Sequence, residues 1–184
     1  MATEKIKRPL IAHFLDTSDK MGEYSAAKFA RIGKNVTEAS TDYGAQTETE
    51  QDIISDSATT EITGYQPTMS VSQQCTKGDD VFEFIDKKRR ARATLADSHA
   101  WLLNVDMWNA TSDSDTATYV AEVQEVSVQV DTYGGAGGES PTLEYTLNYV
   151  GDPIPGTVKI TGGAPVFTAN VSVEGGNEEW IVSA

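Results

Sequence analysis

Alternation of apolar and polar positions dominates the chain. Residues 125–131 read EVSVQVD, with Val126, Val128 and Val130 on one face and Glu125, Ser127, Gln129 and Asp131 on the other. Residues 142–149 read TLEYTLNY, with Leu143, Tyr145, Leu147 and Tyr149 opposite Thr142, Glu144, Thr146 and Asn148. TVKI at 157–160 alternates too, as do Leu103, Val105 and Met107 against Asn104, Asp106 and Trp108. Met69, Val71, Gln73 and Cys75 give a weaker alternation. Between Val123 and Val126 the parity slips by one residue, which predicts a bulge near Gln124 and Glu125. Half-polar strands of this kind belong in antiparallel sheets with one face on a core.

One helix interrupts this pattern. KGDDVFEFIDKKRRAR places Val81, Phe84, Ile85 and Lys88 on one face, with Phe82 beside it. Asp79 or Asp80 can cap it, and Asp80 with Glu83 has capping-box spacing. Acids fill the first turns and bases the last, as the helix dipole prefers, so a helix is expected over residues 79–92. Its KKRR run reads as a solvated helix end offering ion pairs to acidic neighbours. Residues 41–60, TDYGAQTETEQDIISDSATT, have one large apolar pair, Ile53 and Ile54. The stretch reads either as a disordered segment or as an arm that orders against a partner, anchored by those isoleucines. Residues 170–184 suggest one short strand and a tail carrying Trp180.

Length and charge narrow the possibilities. A chain of 184 residues suits one domain with a real core. The net charge is −14, and Lys and Arg cluster before Lys34, from Lys77 to Arg92 and at Lys159. Seven acids and no base lie between Lys34 and Lys77, and ten acids and no base between Arg92 and Lys159. Such a surface repels nucleic acid wherever binding needs counterion release, and in its plainest reading keeps the protein soluble. The N-terminus lacks the apolar run of a secretory signal, and no stretch approaches the ~18 apolar residues of a membrane span, so cytoplasmic folding is expected. Cys75 is the only cysteine, which rules out an internal disulfide and a cysteine zinc cluster.

Catalytic signatures are absent. His13 and His99 stand apart without flanking ligands, and there is no H-E-x-x-H, G-x-S-x-G, C-x-x-C or P-loop. Asp113 and Asp115 in SDSDT resemble the start of a calcium loop, but position 117 is alanine and no glycine or closing glutamate follows at the offsets such a loop needs, so a turn is expected. The sequons at Asn35, Asn109 and Asn170 carry no meaning without secretion. DTYGGAGGES at 131–140 fails as a phosphate loop: its spacing is wrong and a period-two strand follows instead of a helix. Its glycines are expected to serve positive φ in a connection between two strands. No catalytic residue, metal ligand or cofactor is expected.

VSVQVDTYGGAGGESPTLEYTLNYVGDPIPGTVKI resembles the C-terminal half of the major tail tube proteins of siphophages that infect Gram-positive bacteria. KRPLIAHFLDTS, RIGK, TETEQDI, TTEITGYQP and QQCTKGDDVFEFID match that family in order, so the resemblance covers residues 5–161. Val150 departs from it, standing where asparagine is common before Gly-Asp-Pro, and the Ig-like decoration of some members is missing after Ile160. The resemblance implies a mainly β fold: a β-sandwich of two antiparallel sheets with one flanking α-helix. It implies hexameric rings that stack into a tube with a continuous inner β-barrel, through which the genome leaves. Residues 1–161 would be the tail tube domain and 162–184 a C-terminal strand and tail, without a separate Ig-like domain. Expected partners are further copies of the chain and the tape measure, tail terminator and distal tail proteins. DNA passes without specific binding, no membrane is involved, and the chain belongs to the virion tail after assembly in the host cytoplasm.

Three groups of residues follow. Polar-face acids Glu122, Glu125, Asp131 and Glu144 are candidates for the lumen, with the inward sheet left open by strand phase alone. Thr47, Glu48, Glu50, Ile53 and Ile54 would form the inter-ring arm, and Gly134, Gly135, Gly137, Gly138 and Glu139 an inter-subunit loop. The alternative is a β-sandwich carbohydrate-binding or adhesin module, whose signature would be Trp101, Trp108 and Tyr119 clustered as an exposed aromatic face.

Overall fold

A computed structural model describes residues 5–54, 57–110 and 117–170. The expected turn at Asp113 and Asp115, the strand within 171–184 and Trp180 lie outside these residues. The described chain is mainly β, antiparallel throughout, with one flanking helix. Its strands are β1 (Ile11–Asp16), β2 (Phe29–Ile32), β3 (Val36–Asp42), β4 (Ala45–Glu50), β5 (Thr59–Tyr65), β6 (Thr68–Gln74), β7 (His99–Ala110), β8 (Thr118–Gly134), β9 (Thr142–Thr161) and β10 (Ala164–Ala169). Eight form one sheet in the order β2-β1-β7-β8-β9-β6-β3, with β10 also on β9; β4 and β5 pair separately. The layers therefore come from a single curled sheet, and the second sheet is a hairpin.

The long hairpin of β8 and β9 is the spine, and it buries opposite faces in its two halves. Along β8, Ala121 and Val123 point into one core with Ala12, Phe14, Leu103, Val105 and Val158. Val126 and Val128 point the other way, into a core with Leu102, Met69, Val71, Leu143, Tyr145 and Leu147. The parity slip between Val123 and Val126 is thus a change of buried face. The ladder between β8 and β7 runs through it unbroken, Val123 opposite Leu103 and Glu125 opposite Trp101. The predicted irregularity does exist, but in the ladder with β9, where Val123 faces Ile154 and Glu125 faces Val150. The extra residues belong to β9, and Gln124 Nε2 donates to Gly151 O across them at 2.6 Å. β7 is buried on both faces, Leu102 and Leu103 being fully enclosed, so its sequence shows only part of its packing as alternation.

The helix α1 (Asp80–Ala91) covers the second core with Val81, Phe84 and Ile85. Asp79 is its N-cap: the carboxylate accepts from Phe82 N at 2.9 Å, and Glu83 Oε1 accepts from Gly78 N at 2.9 Å. Such a cap contributes about 1 kcal/mol. Asp79 also accepts from Gln73 Nε2 at 3.0 Å, which ties the cap to β6 inside the core. Of the KKRR run, Lys87 pairs with Asp19, and Arg89 and Arg90 both pair with Asp86. Lys88 donates to Asp97 O and His99 O and lies over the Phe84 ring. The run is occupied within the molecule, as a helix end should be.

Candidate assembly interface

Four strands, in the order β8-β9-β6-β3, present an exposed polar face where β8 is past its midpoint. Cross-strand register builds it in rows. Ser127, Asn148, Thr68 and Asp42 make one row; Gln129, Thr146, Ser70 and Ser40 the next; Thr132, Glu144, Ser72 and Glu38 the third. The opposite faces of these strands hold Val128, Leu147, Met69, Tyr145 and Val71 on the core, which fixes the polar set outward. Asp131 accepts from Thr146 Oγ1 and from Gln129 Nε2, both at 2.7 Å, and Asn148 Nδ2 donates to Gln129 Oε1 at 3.4 Å. His99 pairs with Glu125 at the margin. Segments 36–42, 68–74, 125–132 and 142–148 contain no lysine or arginine.

Three of the four predicted acids, Glu125, Asp131 and Glu144, come together on this side of the sheet. Glu122 does not: it has the opposite parity on β8 and accepts from Asn104 Nδ2 at 2.9 Å on the other side. Sequence reasoning missed Glu38 and Asp42, because the inward positions of β3 are Ala39 and Thr41 rather than large apolar residues.

Among the described residues both lateral edges of this face are open: β3 pairs only with β6. The ladder of β7 on β8 ends at His99 opposite Ser127, and from Val128 onward β8 pairs, among the described residues, only with β9. The two ends of the face differ. At one end the connection from β8 to β9 carries Gly134, Gly135, Gly137, Gly138 and Glu139, as a link between two strands. Gly138 has φ +89°, a conformation that L side chains rarely adopt, and Glu139 N closes a turn onto Ala136 O. Glu139 itself is exposed.

At the other end rises the arm. β4 and β5 pair as a hairpin in which Thr47, Glu48 and Glu50 lie on β4, and every residue of β4 is exposed. Ile53 and Ile54 stand at its tip with relative exposures of 105% and 92%. The arm leaves the main sheet at Gly44, whose φ is +53° and where a Cβ would lie 2.5 Å from Gln66 O. No side chain fits that kink without moving the backbone of the link between β5 and β6.

A groove of about 1160 Å³ opens at the arm's foot, on the sheet side away from the polar face. Its floor is a hydrogen-bonded set: His13 Nδ1 meets Asn104 Oδ1 at 2.8 Å, and Asn104 Nδ2 donates to Glu122 and to Tyr149 OH. Burial holds the His13 imidazolium below its ordinary pKa, opposed by Asn104 and Asp106 and reinforced by Arg8 and Arg31. Burial likewise raises the Tyr149 phenol. Arg8 spans the groove edge, donating to Ile11 O at 2.7 Å and Ala39 O at 3.1 Å. The aromatic trio does not assemble. Trp101 packs edge-on to Tyr24 and donates to Gly22 O, Tyr119 joins the same core, and Trp108 is exposed.

No protein-family model matches the sequence, and no curated protein matches it. Among solved structures, a chain of the anti-feeding prophage baseplate, determined by cryo-EM with six-fold symmetrisation, is similar at 10% identity and a TM-score of 0.45. The likeness covers 84% of this chain and 97% of that one, and is too distant to say what this chain does.

Proposed function

We propose that this chain is a structural virion protein, the repeating subunit of a phage tail tube. The order of the sequence motifs supports the family. The observation that carries the reading is the four-stranded polar face, whose strand segments hold no lysine or arginine and whose lateral edges are open among the described residues.

An open strand edge is a template for another strand. Four antiparallel strands run up, down, up, down, so β3 of one copy and β8 of the next meet in antiparallel sense under simple rotation. A cyclic array therefore extends one uninterrupted sheet and ends with no edge at all. Six copies, the number the resemblance implies, give a barrel with a diameter on the order of 40 Å at ~4.8 Å per strand. In such a ring α1 lies outside, because it covers the opposite sheet face. The inner wall is then Glu125, Asp131 and Glu144 with Glu38 and Asp42, among hydroxyls and amides. Duplex DNA carries one charge per ~1.7 Å, so a cationic wall would retain it by counterion release, whereas this wall repels it from every side. The arm and the glycine loop project from opposite ends of the face, which suits rings that stack head to tail.

Negative-stain electron microscopy of the purified full chain at rising concentration tests the reading. Rings or tubes with an open central channel are expected. Monomers persisting at every concentration and salt condition would overturn it.

A further inference from the structure

We propose that Arg8 guards the free edge of β3, so that a lone subunit resists strand addition until β8 of a second copy displaces the guanidinium. The use of that edge in assembly rests on the tail tube reading; the guard is argued from the hydrogen bonds around β3.

The ladders fix which backbone groups of β3 face outward. In an antiparallel pair, residues alternate between exchanging both bonds with the partner strand and turning both groups away from it. Tyr149 N donates to Pro67 O at 3.1 Å, which commits Met69, Val71 and Gln73 to β9. Gln74 N donates to Asn35 O at 2.9 Å, so the alternate residues Ser70 and Ser72 serve β3. Ser40 opposite Ser70 and Asp42 opposite Thr68 are therefore bonded pairs. Ala39 and Thr41, opposite Val71 and Met69, turn their N–H and C=O groups to the open edge. An added strand is held through those groups. Carried across β9, the same alternation turns the backbone groups of Val128 and Val130 to the open edge of β8.

One outward group of β3 is already taken. Arg8 Nη2 donates to Ala39 O at 3.1 Å, and Nη1 donates to Ile11 O at 2.7 Å. One planar guanidinium thus bridges the free edge of β3 to the first residue of β1, with both bonds set by a single fork. The N–H of an incoming strand needs the place that Nη2 occupies. The local backbone holds Arg8 there: it opens a 3-10 turn, Arg8–Leu10, closed by Leu10 N on Lys7 O, and Arg31 Nη2 donates to Pro9 O at 3.3 Å. A charged side chain at an exposed edge discourages strand addition.

The guard is removable. Both bonds of Arg8 lie at the surface, where exchange with water costs little. Asp106 and Glu122 line the adjoining groove and offer carboxylates to the freed guanidinium. Displacement exchanges one side-chain bond for the several main-chain bonds that β8 supplies, so the guard slows the first contact between copies without preventing the finished sheet.

The test compares the full chain with its Arg8→Ala variant. Light scattering is expected to show the variant assembling at a protein concentration roughly tenfold below the parent's, the worth of one charge-assisted bond. A side chain that served only the fold predicts the reverse, a lower melting temperature with assembly at the same or a higher concentration. That result would overturn the guard, and the tubes formed would leave the tail tube reading standing. Arg8→Lys keeps the charge without the fork and is expected to fall between the two; it decides the matter if Arg8→Ala does not fold. A labelled synthetic peptide of residues 125–134 reads the edge without tubes. Fluorescence anisotropy is expected to show it binding Arg8→Ala roughly tenfold more tightly than the parent. Tighter peptide binding with no tubes from either protein would uphold the guard and count against the tube. Equal peptide binding would overturn the guard.

Discussion

Asn104 organises the groove through its two side-chain ends: its oxygen meets His13, and its nitrogen serves Glu122 and Tyr149. His13 is buried and its pKa is lowered, chiefly by desolvation. The sign follows by linkage. A histidine harder to protonate in the folded chain than in the unfolded one leaves stability intact above about pH 6.5. As pH falls below that value the unfolded state takes up the proton first, and stability declines until the folded-state pKa is reached. The slope is at most ~1.4 kcal/mol per pH unit for one group. His13→Gln is expected to flatten this part of the profile while keeping a hydrogen bond to Asn104. Urea unfolding at pH 7.5 and at pH 5.5 measures it, and an unchanged pH dependence in the variant would show that other groups carry it.

Elements differ in how plainly their sequences announce them. The phases of β9 and of the second half of β8 are legible because valine, leucine or tyrosine fills every second position on one core, and β6 is weaker because Gln73 follows Met69 and Val71 on the same face. The helix is legible from its 3.6-residue apolar spacing and its charge gradient, although the capping residue is Asp79 rather than the Asp80 that the capping-box spacing favours. β4 and β5 are silent: their residues touch no core, so β4 alternates threonine and glutamate from Thr47 to Glu50, and the large apolar residues of β5, Ile62 and Tyr65, are exposed and set no phase. Only the isoleucine pair marked the segment as more than solvated chain, and it is the tip that the hairpin displays. Removing residues 44–58 deletes surface without opening either core. Circular dichroism is expected to show a cooperative melt within a few degrees of the parent, with tube formation lost. A chain that unfolds would show that the arm supports the sheet; a chain that still builds tubes would show that stacking needs no arm.

At the scale of the molecule, the acidic excess acquires a place. The net charge of −14 could have been spread for solubility, yet one continuous sheet face carries acids and no lysine or arginine. Sequence phase alone could group Glu125, Asp131 and Glu144 but could not show which sheet face they joined, nor that Glu122 leaves them, because β8 exchanges its buried face midway. If the face lines a channel, its sign governs transport. Asp131→Lys/Glu144→Lys exchanges four units of charge per copy on exposed positions while keeping the apolar positions of both strands. Rings and tubes should still form, since neither residue belongs to a core or to the arm. A ring of cations would instead engage passing phosphates, with affinity rising steeply as salt falls, a slope of about 0.9 per phosphate neutralised. Particles built with the variant are therefore expected to eject DNA more slowly, with a defect that deepens at low ionic strength. The neutral Asp131→Asn/Glu144→Gln variant separates loss of repulsion from gain of binding, since it should show a smaller defect with a weaker salt dependence. Wild-type ejection kinetics from lysine-bearing tubes at low salt would place these acids outside the channel and leave their clustering to solubility alone.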